Sequence, residues 1–372
     1  MKCKKCRFII GKSSLFILFF LCIIMVVPIA SWAQTPIPAN FYKGKSIEII
    51  VPSAVGGGSD IFARYMCDWL TKYIPGNPVT LVRNMPGAVA MIGCNYVYNI
   101  AKKDGLTLLA ADSGSNVGSL LQQKGVEYDL TKMPLVLSGP SGQLYYIKAD
   151  LIKDFRDIFE KEIIIYGHKP PGGGLTTAFI LAQELLQFKT KKLILAYGGS
   201  GDTRRAFLSG ELNTSSDTTA AYTSQVLPME KRGEIKMLWQ SGTLDEAGKV
   251  IRLHPPIGHI PSVYDRYLEV HGKPPSGKVW EAFKTIIGAV VVYEKTLAFP
   301  PGTPPEIVSI VADACEKLVK DPQFIADADA KLKSTFTAGA SMRKGFEKNV
   351  VGANPEAVAW LRTWLREKWG VQ

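Results

Sequence analysis

Two glycine runs are the residues in this chain best suited to bind something. Gly56-Gly57-Gly58-Ser59 and Gly172-Gly173-Gly174 each follow an apolar, strand-like segment and precede a helical pattern. A glycine loop in that position exposes unpaired backbone N–H groups and lets a ligand approach the main chain closely. The helix behind it adds a partial positive charge, so phosphate or carboxylate is the favoured guest. One such loop is weak evidence, because glycines also serve simple tight turns. Two at equivalent places weigh more. If they face each other across a cleft, both helix N-termini point into it, and a dicarboxylate could be held at both ends without one cationic side chain.

Catalytic and metal patterns are thin. Gly56-Gly57-Gly58-Ser59-Asp60-Ile61 and Gly172-Gly173-Gly174-Leu175-Thr176-Thr177 both lack the third glycine of GxGxxG. Gly44-Lys45-Ser46 resembles the end of a P-loop, but residue 39 is Ala and the segment precedes a strand instead of following one. There is no GxSxG nucleophile elbow. The four histidines (168, 254, 259 and 271) form no HxxxH pair, and Pro255-Pro256 between His254 and His259 is poor geometry for a helical metal site. His168 lies in the second glycine loop, where it either touches ligand or is a solvated loop residue. No catalytic residue, no metal site and no cofactor is expected, and a binding protein is favoured over an enzyme.

The elements that must position these loops follow from local pattern. Ser46 to Val51 reads as a buried strand and is followed by a helix from about Asp60 (Ile61, Phe62, Tyr65, Met66, Trp69, Leu70). Val79 to Val82 is a second strand, a helix runs to about Ala101, and Leu106 to Ala111 is a third strand. Strand–helix alternation with short connections signals a parallel α/β sheet. The pattern repeats: strand Glu162–Tyr166, helix Leu175–Leu186, strand Lys192–Ala196, helix to Leu208, strand Leu212–Ser216 ending at Asp217, strand Ile235–Trp239. Ile286 to Phe299 reads as a long apolar strand-like stretch, and helices follow from Glu306, from Asp321-Pro322 and from Pro355. Trp360 and Trp364, four apart on the last helix, read as packing residues.

Composition bounds the rest. The chain has 372 residues with 47% hydrophobic content, which excludes disorder and collagen-like repeats and suggests two domains. Residues 1–12 are basic, Leu15 to Ala30 is an apolar run broken only by Pro28, and Ser31-Trp32-Ala33 is a small-x-small cleavage site. This is the order of a secretory signal peptide, with an uncleaved membrane anchor as its rival. Cys22 follows Phe19-Phe20-Leu21, which does not suit a lipoprotein signal. The net charge of +11 includes five basic residues and no acid in the first 33, so the remainder carries +6. That diffuse excess slightly favours small anions and does not argue for nucleic acid. Cys67, Cys94 and Cys315 remain after cleavage, an odd count without metal or redox spacing. Buried free thiols are favoured, and a Cys67–Cys94 bridge stays open.

Several short motifs occur in an order that resembles the periplasmic solute receptors of tripartite tricarboxylate transporters, the Bug proteins. Pro52…Gly56-Gly57…Asp60 comes first, then Asn84-Met85-Pro86-Gly87-Ala88 and Lys103-Asp104-Gly105-Leu106-Thr107-Leu108. Tyr197-Gly198-Gly199 and Gly210-Glu211-Leu212 follow, with Pro300-Pro301-Gly302-Thr303-Pro304 near the end. The resemblance implies an α/β fold with the two-domain, type II-like flytrap architecture of periplasmic binding proteins and two crossover strands, near Leu135–Gly139 and Ile286–Val292. It implies a signal peptide over 1–33, a first domain of 34–138 plus 287–372, and a second of 139–286. It implies a small organic carboxylate ligand, delivery to membrane transporter subunits, no nucleic acid, a monomer, and a periplasmic location.

By the same resemblance the ligand meets Ser53, Ala54, Gly57 and Gly58 in the first loop and Gly172, Gly173, Gly174 and Thr176 in the second, with Gly87, Ala88, Ser113, Asp60 and Asp217 nearby. Asp60 is equally well explained as a helix N-cap. Asp217 could select an amino or hydroxyl group or stabilise its own loop. The chain departs from the family at Ser53, often an aromatic, at Val55, often Pro, and at Val89 or Ala90, often Gly. The Lys169-Pro170-Pro171 lead-in also lengthens the second loop. These changes reshape the pocket. A secreted α/β enzyme acting on a carboxylated or phosphorylated metabolite, and a receptor serving a sensor kinase, are the alternative functions.

Overall fold

In the computed structural model, residues 40–160, 162–245, 247–253 and 257–371 are described; the expected signal peptide lies outside them. The first glycine loop belongs to a unit made of β1 (Ser46–Val51), α1 (Gly58–Tyr73), β2 (Val79–Asn84), β3 (Thr107–Ala111), α2 (Ser113–Leu121) and β4 (Leu135–Gly139). The chain then crosses into β5 (Gln143–Lys148), β6 (Ile164–Gly167), α3 (Gly174–Leu186), β7 (Thr190–Ile194), α4 (Ser200–Ser209), β8 (Thr214–Thr218) and β9 (Ile235–Gln240). A small hairpin, β10 (Thr243–Leu244) with β11 (Val250–Ile251), precedes helices α5 (Val263–His271) and α6 (Lys278–Val290). β12 (Lys295–Ala298) and helices α7 (Pro305–Leu318), α8 (Pro322–Leu332), α9 (Gly339–Phe346) and α10 (Pro355–Trp369) end the chain.

Two five-stranded sheets result, with orders β2-β1-β3-β12-β4 and β7-β6-β8-β5-β9. Each holds three parallel strands: β1 pairs in parallel with β2 and β3, and β6 with β7 and β8. The fourth strand of each is antiparallel to both neighbours, β12 in the first sheet and β5 in the second. Both sheets are therefore mixed, where strand–helix alternation alone suggested parallel ones. The antiparallel members are the strands next to the two crossings between sheets, and local periodicity carries no sign of a partner supplied from the other half of the chain. The two crossings are tied together: the Ser141 amide donates to the Val291 carbonyl at 2.9 Å.

The apolar run after Ile286 differs from the expected strand. It is helical through Val290, and only Lys295–Ala298 is strand. Short apolar runs do not distinguish a buried strand from a buried helix. The deciding pattern begins earlier, with Trp280, Phe283, Ile287 and Val290 spaced by three and four along one buried face. In α1, Phe62, Met66 and Leu70 recur every fourth residue and are fully buried. The second sheet is filled by aromatics, with Tyr166 stacked on Phe179 at 3.9 Å and Tyr145 on Trp239 at 5.3 Å. Trp360 and Trp364 stack at 5.7 Å and pack half-buried against the core, as expected. Cys67, Cys94 and Cys315 are all free thiols. Among the described residues no helix is long and apolar enough to cross a membrane.

Candidate functional site

Three of the helices that begin on glycines without a side-chain cap converge here: α1 at Gly57, α3 at Gly173 and α4 at Gly199. Their first residues, Gly58 and Ser59, Gly174 and Leu175, and Ser200, line one buried cavity between the two sheets. Uncapped N-termini keep orphan N–H donors and a partial positive charge, so each favours an anion. A fourth helix, α2, starts on the same wall but is already satisfied. Asp112 caps it, its Oδ1 accepting from the Ser115 amide at 3.0 Å, and the Ser115 hydroxyl accepts from the Asp112 amide at 3.2 Å.

The halves meet tightly around this cavity. A Cβ on Gly58 would stand 1.9 Å from Thr218 Oγ1, and one on Gly174 would stand 2.1 Å from Ser113 Cβ. Glycine at these positions is therefore a requirement of close approach between the halves. Arg204 crosses the seam as well, its Nη1 and Nη2 donating to the Gly56 carbonyl at 3.2 and 3.3 Å. The space left is about 20 Å³, on the order of one water molecule.

Four charged side chains line the cavity, all buried. Lys169, from the second glycine loop, donates to Asp112 Oδ2 at 3.1 Å and so joins the halves. Lys295 donates to Glu294 Oε1 at 2.8 Å and to Ser59 Oγ at 3.1 Å. Burial alone would raise the Asp112 carboxyl, but the Lys169 charge, the Ser115 amide and the Lys295 charge outweigh it and hold it below its ordinary value. Glu294 goes the other way. Burial pushes it up to about 7, and Lys295 only partly offsets that, while Asp112 adds to the rise. His168 is pushed down to about 3 by burial and by the Lys169 charge, so it is a neutral imidazole. Its Nε2 lies 3.2 Å from Ser200 Oγ. Three polar atoms on the cavity wall have no hydrogen-bond partner among the described residues: Glu294 Oε2, His168 Nδ1 and Thr218 Oγ1.

Only some of the residues singled out from the sequence reach the cavity. Ser53, Gly58, Ser113 and Gly174 line the cavity. Ala54 and Gly57 stand behind it, where the first glycine loop packs on Gly198–Gly201. Gly172 and Gly173 face Gln123 and Val89, and Thr176 donates to the Lys169 carbonyl at 2.7 Å, fixing the loop that presents Lys169. Gly87 and Ala88 open a turn that supports the second loop through Val89. In that turn Ala88, Val89 and Ala90 all have positive φ (43°, 54° and 79°), which L-residues rarely adopt. Asp60 accepts from the Gly56 amide at 2.9 Å and from Arg64, while the cap position itself belongs to Gly57. Asp217 is fully buried, paired with Arg204 at 2.6 Å and accepting from the Tyr146 hydroxyl at 2.9 Å.

Sequence reasoning missed Ser59, Asp112, Lys169, Ser200, Thr218, Glu294 and Lys295 as cavity residues. Two signals were present. Lys169 adjoins His168 at the start of the second glycine loop, and Glu294-Lys295 is a charged pair inside an otherwise apolar run.

No family model matches the chain. A UPF0065 protein of Agrobacterium vitis, from the TAR-I ttuE-ttuC' intergenic region, is 27% identical over 247 residues, covering 62% of this chain and 68% of that protein. Protein BugT of Bordetella pertussis is 36% identical over 80 residues, 22% of this chain and 24% of its own length. The solved periplasmic binding protein BugD matches with a TM-score of 0.65 at 17% identity, covering 89% of this chain and 99% of that one. The R. palustris protein Rpa4515, solved with adipate, matches with a TM-score of 0.65 at 18% identity, covering 86% and 98%. The sequence relatives bear out the resemblance drawn from the motifs. The solved structures carry the fold, the two-domain architecture of periplasmic binding proteins.

Proposed function

We propose that this chain, a relative of the Bug solute receptors, captures a small organic carboxylate between two lobes and delivers it to the membrane subunits of a tripartite tricarboxylate-type transporter. The observation that carries the reading is the convergence, from both halves, of three uncapped helix N-termini and two buried lysines on one cavity. The lobes are taken as 34–138 plus 287–372 and 139–286, with export directed by residues 1–33. Amides at Gly58 and Ser59, and at Gly174 and Leu175, receive the carboxylate, and the Ser53 and Ser113 hydroxyls flank it. Ala54 and Gly57, with Gly172 and Gly173, shape the two loops. A ligand that touches both lobes stabilises their closed arrangement, and the membrane partner reads that arrangement. Adipate on the R. palustris protein is a guest of the same chemical class.

A thermal-shift screen of the chain from Gln34 onward, against mono-, di- and tricarboxylates, tests this. A ligand at roughly 100 times its dissociation constant adds about 2.7 kcal/mol of stability. No shift with any carboxylate, at any concentration up to millimolar, would overturn the assignment.

A further inference from the structure

We infer that Glu294 selects the charge of the ligand: once the halves part to admit a guest, the site takes a singly charged carboxylate without an added proton, and a doubly charged one only together with a proton that settles on Glu294 Oε2. The inference rests on reading this cavity as the carboxylate site. Its first support is the balance of charge on the walls. Asp112 and Glu294 offset Lys169 and Lys295, and His168 is neutral, so the side chains sum to zero. Each uncapped helix N-terminus contributes roughly half a positive charge. Three of them match about one and a half negative charges. A second carboxylate would leave unpaired negative charge in a buried space, which is strongly unfavourable.

The second support is geometric. The two buried acids are not equivalent. Both Asp112 oxygens are engaged, Oδ1 by the Ser115 amide and hydroxyl at 3.0 Å each, Oδ2 by Lys169. On Glu294 only Oε1 is engaged, by Lys295, while Oε2 has no hydrogen-bond partner among the described residues. Glu294 is 1% exposed, so water does not screen it. The polar groups around it come from every wall: Lys295 on its own strand, Ser59 on α1, Asp112 and Ser113 at the start of α2, His168 and Lys169 on the second glycine loop, and Thr218 on β8. Of these, Asp112 repels its charge, Lys295 and, more weakly, the Ser113 hydroxyl support it, and Lys169 is already committed to Asp112. As an anion, Oε2 opposes a second ligand carboxylate. As an acid, it donates an O–H bond to that carboxylate. The proton comes from solvent, and no bond other than that O–H forms.

The test compares probe pairs differing by one charge at nearly constant shape: succinate with succinamate, and adipate with adipamate. Calorimetric titration is run at pH 7.5 and 9.0, in two buffers of different ionisation enthalpy so that proton uptake is read directly. The dianions should take up close to one proton at pH 9.0 and bind about thirtyfold more weakly there than at pH 7.5. The half-amides should bind without proton uptake and with the same affinity at both values. In E294Q the dianions should lose both the uptake and the pH dependence, and their preference relative to the half-amides should rise at least tenfold at pH 9.0. Dianion binding by the unmodified chain that is indifferent to pH and releases or absorbs no proton overturns the role of Glu294 while leaving the carboxylate reading intact. No binding by any of the four probes at either pH overturns this inference, and the carboxylate reading falls with it only if the wider carboxylate screen also shows no shift. The proton count on the unmodified chain decides the matter even if E294Q does not fold.

Discussion

Replacing Gly58 by alanine separates closure of the lobes from folding of either one. The added Cβ would lie 1.9 Å from Thr218 Oγ1, 3.3 Å from Thr218 Cβ and 3.7 Å from Ala220 Cβ, all across the seam between sheets. Within its own lobe the substitution costs little, because Gly58 needs no positive φ and alanine is a better helix former. The overlap with Oγ1 exceeds 1 Å. Thr218 Oγ1 has no partner to lose, so it can rotate, but the 3.3 Å contact to its Cβ then remains tight. Overpacking of this kind costs about 1–3 kcal/mol, which is roughly 5- to 150-fold in affinity. Thermal unfolding without ligand should be unchanged or slightly raised, while calorimetric affinity for whichever carboxylate gives a shift in the screen should fall within that range. Adding T218A, which removes Oγ1, should restore most of the loss, so the double-mutant cycle should show strong coupling. If G58A binds as tightly as the parent chain, the seam seen here is not the ligand-bound closure, and the argument from close glycine contacts fails.

Three further outcomes follow from the same geometry. The Glu294 carboxyl is raised from 4.5 to about 7, so the folded chain holds its proton where the unfolded chain has lost it. That contribution is complete below pH 4.5 and disappears as pH rises through 7; measured against E294Q, it should amount to at most about 3 kcal/mol in chemical denaturation. His168 acts in the opposite sense, being lowered from 6.5 to about 3. Its contribution is complete above pH 6.5 and is lost towards pH 3, so H168Q should flatten the acid limb, by about 2 kcal/mol at pH 5; parallel pH curves for parent and variant would show that the imidazole is not buried as described. V89G should relieve the left-handed conformation at φ 54° and stabilise the chain by about 1 kcal/mol, read as a shift in denaturant midpoint; a fall would mean that Val89 packing against the second glycine loop outweighs the strain.

Legibility in the sequence stopped where contacts became distant. Strands β1, β2, β3, β6 and β9 and helices α1, α3, α4, α7 and α10 carry their own periodicity and turn residues, and their limits read to within a few residues. The strand Gln143–Lys148 and the helix Ser113–Leu121 left no comparable mark. The first is buried along nearly its whole length and does not alternate, and the second is built of Ser, Gly and Asn with few apolar positions. In β8, Thr-Ser-Ser-Asp-Thr is wholly buried despite its polarity, because Tyr146, Tyr166 and Arg204 satisfy Ser216 and Asp217 from other elements. The glycine loops were visible, but the ionic lining of the cavity between them was not. Lys169 meets Asp112 across 57 residues of sequence, and Lys295 meets Ser59 across 236. No spacing rule spans such distances, so the two lysines of the cavity wall were not foreseen.

The hydrogen bond between Ser141 and Val291 ties the two crossings between the sheets together, and Glu294-Lys295 follows it after only a few residues. The proposed recognition residues and the crossings thus share one short stretch of chain. On the inference drawn above, a guest that changes the protonation of Glu294 acts beside the crossings themselves, with no relay of side chains to carry the message outward. Substitutions between Val291 and Thr296 should therefore alter ligand affinity and the closure of the halves together.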